Sequence, residues 1–147
     1  YNARINLGEN HLRMENLKKA RQVLEGAWKE IKKPGIFYSR WRYKTRLFID
    51  LAELYSRSGD RKKGLALIAK AIRSAEQSGA QKHQARALLV KAGLVKKTRP
   101  AMARRSLEKA LALSEKMGAR LLTDRICRAR EEIPSGMPAN SDAARRQ

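Results

Sequence analysis

One cysteine, Cys127, stands in 147 residues. A lone cysteine excludes an internal disulfide, which fits a reducing cytoplasm. Aromatic residues make up only 5%, so any core must be built mostly from Leu, Ile and Ala. No apolar run approaches the ~18 residues that a membrane span needs. The opening residues lack the basic-then-apolar order of a secretory leader, so a cytoplasmic location is expected. Acidic residues are scarce, with 14 Asp and Glu against 34 Lys and Arg, for a net charge of +20. Such a field attracts anions and says nothing about fold; one reading is that it offsets an acidic neighbouring domain. Tyr1 stands where an initiator Met would, so an excerpt of a longer protein is expected.

What is present is a globular composition, 42% hydrophobic and 33% charged, with enough length to bury about two-thirds of the unfolded surface. The stretch Leu51 to Gly79 organises it. Leu51, Leu54 and Tyr55 share one face of a first helix, and Ile68, Ala71, Ile72 and Ala75 one face of a second. Gly59 between them can take the left-handed conformation that ends a helix. Small residues, Ala52 and Gly64, lie where the two helices should touch. Gly inside a helix costs about 1 kcal/mol against Ala, so a close approach is expected at Gly64.

This unit occurs three times. Leu7-Gly8, His11, Ala20, Leu24 and Ala27 match Leu51-Ala52, Tyr55, Gly64, Ile68 and Ala71, and Val90, Leu94, Ala103, Leu107 and Ala110 match them again. The offsets, 44 and then 39 residues, are constant through both helices of each unit. The pattern resembles the tetratricopeptide repeat (TPR) family, with its Leu-Gly, Tyr and later small and apolar positions. Phe48 supplies the opening aromatic in unit two, where Arg4 and Ala87 stand in the others. Unit three departs further, with Lys91 at the small position and Thr98 where Gly59 sits. Units longer than the usual ~34 residues are typical of TPR-like arrays in large bacterial signalling ATPases and transcription activators.

The resemblance implies an all-α, right-handed α-solenoid of three helical hairpins over about residues 2–33, 38–78 and 81–117. A C-terminal capping helix over about 119–132 would complete a domain spanning 1–133, and 134–147 reads as a flexible tail. Helices are expected near 2–14, 17–32, 38–57, 61–77, 81–97 and 100–116. Pro34-Gly35 stops the second, and Pro100 suits a first helical turn.

No catalytic constellation is legible. Gly59 and Gly64 have the spacing of a phosphate loop, but Leu65 stands where the Lys must be and a helix precedes. His11 and His83 lack partners at metal-ligand spacing. Cys127 would need an adjacent base to act as a nucleophile. No enzyme activity, metal or cofactor is expected.

In the family, first helices line a concave groove. Carried onto this chain, the resemblance implies an apolar tier of Ile5, Ile49, Leu88 and Cys127, and an acidic tier of Glu9, Glu53 and Glu131 with Ala92. A basic tier of Arg13, Arg57 and Lys96 follows. The spacing within each helix keeps the tiers on one face. The glutamates would either pair with nearby bases or receive a basic or amide-rich partner segment. The carboxylate-gripping Lys and Asn of chaperone-binding TPR domains are absent. The expected function is a non-catalytic protein–protein interaction module, a regulatory or sensor segment of a larger bacterial protein, with self-association as a further option. The alternative is nucleic-acid or other polyanion binding, through Tyr38, Arg40, Trp41, Arg42 and Lys44, where aromatics alternate with bases. The favoured reading of that stretch is packing over the end of unit one.

Overall fold

The structure is a computed structural model that describes residues 2–33 and 40–134, of which 40–42 are described in backbone alone. The described residues form seven helices and no strand: α1 (Asn2–Arg13), α2 (Leu17–Ile31), α3 (Arg40–Arg57), α4 (Arg61–Gln77), α5 (Gln81–Val95), α6 (Pro100–Lys116) and α7 (Arg120–Glu131). None is long and apolar enough to cross a membrane. The expected boundaries hold within two residues, and α3 does extend backwards towards the connection after unit one. The expected tail lies largely outside the described residues.

Turn chemistry explains most of the boundaries. Gly59, Gly79 and Gly118 have φ of +83°, +65° and +64°. The residue after each donates its N–H five residues back, as in Asp60 to Tyr55 O, Ala80 to Ala75 O and Ala119 to Ser114 O. That bond occupies a carbonyl left over at a helix end. The α1–α2 turn repeats it with Glu15 at φ 57° and Asn16 bonded to His11 O. Asn16 and Asp60 then cap α2 and α4 by accepting from the N–H of Lys19 and Lys63. The α5–α6 turn differs. Thr98 is not left-handed, and Arg99 donates only four residues back, to Val95 O.

Each helix packs on the next in the chain, and the odd-numbered helices also pack on one another, α1 on α3, α3 on α5 and α5 on α7. The even-numbered helices do not touch each other. The second-helix residues matched by the repeat are buried in step: Leu24, Ile68 and Leu107 are at most 1% exposed, whereas in the first helices Leu7 is 46% exposed against 2% for its match Leu51. Ala20, Gly64 and Ala103 are buried in register with them, as are Ala27, Ala71 and Ala110.

Two apolar clusters result. Leu47, Leu51 and Leu54 on one side of α3 join α1 and α2. Phe48, Ile49 and Ala52 on its other side join α4 to α7. Trp28 and Leu67 touch both clusters, and the Trp28 and Phe48 rings lie 5.1 Å apart.

The expected close approach at Gly64 is present. A Cβ there would stand 2.8 Å from Leu94 Cδ2 and 3.3 Å from Ala52 O. At Gly8 it would collide with the Leu24 side chain, whereas at Gly26 it would meet nothing. Urea unfolding should therefore separate the two glycines. Gly26→Ala should stabilise the fold by up to about 1 kcal/mol, and Gly8→Ala should destabilise it despite the same helical gain. Ile68→Ala should cost about 2–5 kcal/mol, the range for a buried aliphatic; a change within ~0.5 kcal/mol would contradict the repeat register.

Candidate functional site

The odd-numbered helices carry most of the interior charge. Arg86 on α5 is the bridge: its Nη2 donates to Asp50 Oδ1 on α3 at 3.0 Å and to Glu9 Oε1 on α1 at 3.3 Å. Arg46 reaches Glu9 Oε2 at 2.5 Å and Arg13 reaches Glu9 Oε1 at 2.9 Å. Asp50 is fully buried and its Oδ2 has no hydrogen-bond partner among the described residues.

Burial pushes the Asp50 carboxyl up to about 7, against the downward pull of Arg86. Burial also raises Glu9, but there the Arg46 hydrogen bond and the charges of Arg86, Arg46 and Arg13 win and hold it below the ordinary 4.5. His83 is held below 6.5, first by burial and then by Arg86 and Arg46.

Further along the same layer, α3, α5 and α7 enclose a cleft of about 180 Å³. Glu53 and Arg57 of α3, Lys96 just after α5, and Arg125 and Glu132 from the α7 region bring charge to it. Leu89, Val90, Ala129 and Ile133 supply apolar wall. Arg57 bonds Glu53 at 2.6 Å and also donates to Leu12 O at 2.7 Å, and Lys96 bonds Glu132 at 2.7 Å. The lining holds no histidine or cysteine. Among the described residues no three metal-ligating side chains gather.

This geometry corrects the expected groove. Ile5, Ile49 and Leu88 were placed on an open apolar floor, but they are 0%, 0% and 6% exposed. The lateral packing of α1 on α3 and α3 on α5 closes that face into core, so no ligand reaches it and Ile49→Asp would be a core lesion. The charged tiers also divide. Glu53, Arg57 and Lys96 share the cleft, whereas Glu9 and Arg13 belong to the Arg86 network. The structural pairing of the glutamates, weighed above, is what these carboxylates make.

On α5 the cleft's apolar lining is one and two residues along from Leu88, at Leu89 and Val90, a register shift that spacing alone does not reveal. Arg125 and Glu132 also went unforeseen, because α7 was read only as a cover. Of the candidate polyanion contacts, Tyr38 lies outside the described residues, as do the side chains of Arg40, Trp41 and Arg42. Lys44 is exposed, with its Nζ 5.7 Å from the Phe48 ring centre.

The network makes stability depend on pH in a defined direction. Asp50 is raised from 3.8 to about 7, so folding favours its protonated form. Its contribution is complete below about pH 4 and is lost as pH rises to about 7. Glu9 has the opposite sign: its contribution is present above 4.5 and is lost as pH falls through its lower folded value. His83, depressed, adds stability as pH rises towards 6.5. Asp50→Asn removes only the first effect. In urea unfolding, the stability of the native chain relative to this variant should fall between about pH 5 and about pH 7, by at most about 1.4 kcal/mol per unit. A difference that stays flat would contradict the assignment. Arg86→Met should cost about 3–5 kcal/mol by stranding a buried carboxylate, and more at high pH than at low.

Comparison of the chain with protein-family models, with curated proteins and with solved structures gives no match.

Proposed function

We propose that the chain is a non-catalytic protein–protein interaction module: an α-solenoid of three TPR-like hairpins, closed by α7, that receives a partner segment in the α3–α5–α7 cleft. The observation that carries the reading is the cleft itself. It sets paired charges of both signs around a small apolar wall, on the layer made by the first helix of each hairpin. The in-step burial of the repeat positions and the packing of odd-numbered helices on one another support the solenoid. Four of the five charges in the cleft already have a protein partner, Glu53 with Arg57 and Lys96 with Glu132. A ligand would therefore exchange ion pairs, which selects for orientation and partner more than for affinity. A cytoplasmic regulatory or sensor role within a larger bacterial protein accords with the unit length.

The net charge of +20 favours one second reading, polyanion binding. Charge alone gives non-specific affinities of ~10⁻⁴–10⁻⁶ M that weaken steeply with salt, and that behaviour is expected towards duplex and single-stranded DNA. Salt-resistant binding lost on Trp41→Ala would replace the first reading with the second.

A photo-crosslinking amino acid at Leu89 or Gly93, in cells that produce the chain, tests the cleft. The expected product is a discrete adduct with another polypeptide, lost when Glu53→Arg reverses the cleft charge. The same probe at exposed Glu108 on α6 serves as the control. Adducts of equal yield at both sites, or with nucleic acid, would sink the proposal.

A further inference from the structure

The even-numbered helices do not meet, and the gap between α4 and α6 is a groove of about 390 Å³ floored in part by α5. Its apolar wall is Leu65, Ile68 and Ile72 of α4 with Val95 and Met102. Along α4 the lining runs from Arg61 to Ile72 at helical spacing, a length of about 16 Å or three turns. The charged residues of the lining are Arg61, Lys91 and Arg99, with no carboxylate among them. None of the three has an ion-pair partner among the described residues, although neighbouring Lys63 pairs with Asp60. Arg61 donates to Thr98 Oγ1 at 2.7 Å, while its Nε is buried without a partner.

Two of these cations, Lys91 and Arg99, coincide with places where unit three breaks the repeat. Lys91 occupies the position held by Gly8 and Ala52 in the other units, and a Cβ at Gly8 would already collide with the paired helix. A lysine there lays its methylenes along the apolar wall and keeps its ammonium at the rim. Among the turns that are fully described, Thr98 and Arg99 form the one that lacks the left-handed residue and the five-residue back bond, and Arg99 becomes an N-cap whose side chain makes no capping bond. Thr98 has structural partners, accepting from Arg61 and donating to Val95 O, but Arg99 makes no capping bond and Lys91 no ion pair among the described residues, and both border the groove.

We propose that this outer groove is a second docking surface, for an acidic amphipathic helix. The partner's apolar stripe would lie along Leu65, Ala69 and Ile72, above the buried Ile68, and its flanking carboxylates would meet Arg61, Lys91 and Arg99. The charge on the rim and the three-turn length select this occupant. A basic helix would be repelled by all three cations. A ligand with a single acid group would leave the rest of the rim unpaired, because Arg61 and Arg99 stand by the α5–α6 turn while Lys91 lies further back along α5. The site is on the opposite layer from the α3–α5–α7 cleft, so it does not depend on that reading.

The test uses the 147-residue chain and three labelled peptides of about 12 residues, long enough for three turns, followed by fluorescence anisotropy at ~0.15 M salt. The first has Leu at every third or fourth position and Glu elsewhere, the second has the same composition scrambled, and the third carries Lys for Glu. The first should bind, and the scrambled peptide should bind at least about tenfold more weakly, since a diffuse field cannot distinguish them. Lys91→Glu with Arg99→Glu should weaken the first peptide about tenfold or more and admit the Lys peptide. Circular dichroism checks the fold of this double variant, and Arg99→Glu alone, at an exposed turn, carries the test if the double variant is not folded. Equal binding of the scrambled peptide would overturn the proposal. So would loss of binding on Glu53→Arg in the other cleft, or occupation of the groove by a second copy of the chain, detected as a dimer by sedimentation.

Discussion

A single guanidinium holds three helices in register. Arg86 on α5 bonds Asp50 on α3 and Glu9 on α1, and Asp50 has no access to water. A buried carboxylate stripped of its cation costs far more than the pair contributes over a well-packed apolar replacement. The arrangement therefore acts less as a source of stability than as a condition on geometry: α1, α3 and α5 must meet where Arg86 can reach both acids. The apolar contacts around it, rich in Ala and Leu, would tolerate a slide of one residue more readily.

Much of the fold was legible because its signals are local and repeated. The constant offsets carry one unit onto the next, and Gly59 and Pro100 mark turns within a few residues, so together they place most of the helices. Gly64 announced a close approach because a helical glycine needs a reason. The site was legible only in part. Whether Ile49 faces solvent or core depends on a third helix packing across it, and no spacing within α3 encodes that neighbour. The same holds for Asp50, which sequence presents as one more acid on a charged helix and which tertiary contact makes the most buried ionisable group among the described residues. Arg125 and Glu132 enter the cleft through α7 packing on α5, again a contact between elements far apart in sequence.

The two grooves differ in how their charge is used. In the α3–α5–α7 cleft Arg57 and Lys96 are paired with Glu53 and Glu132, so Arg125 is the one cation in excess there and the local field is smaller than the overall charge suggests. Between α4 and α6 the cations are unmatched, and their side chains border apolar surface. A protein this basic attracts anions everywhere, but only a surface that combines charge with an apolar wall can distinguish one anionic partner from another.

α3 belongs to both apolar clusters, giving Leu47, Leu51 and Leu54 to one and Phe48, Ile49 and Ala52 to the other. Backbone approaches elsewhere reach no further than the next helix or the one after it, and the Arg86–Glu9 bond runs directly from α5 to α1, so cooperativity passes chiefly through α3 and that one bond. Chains with such nearest-neighbour coupling can lose one end while the other persists. The α1–α2 pair can open by releasing one side of α3 and the Arg86–Glu9 bond, and the array from α4 onward keeps the other side of α3. Amide protons would then exchange in two tiers, with α3 itself among the slowest, and mechanical load applied at the N-terminal end would peel the chain helix by helix until it reached α3.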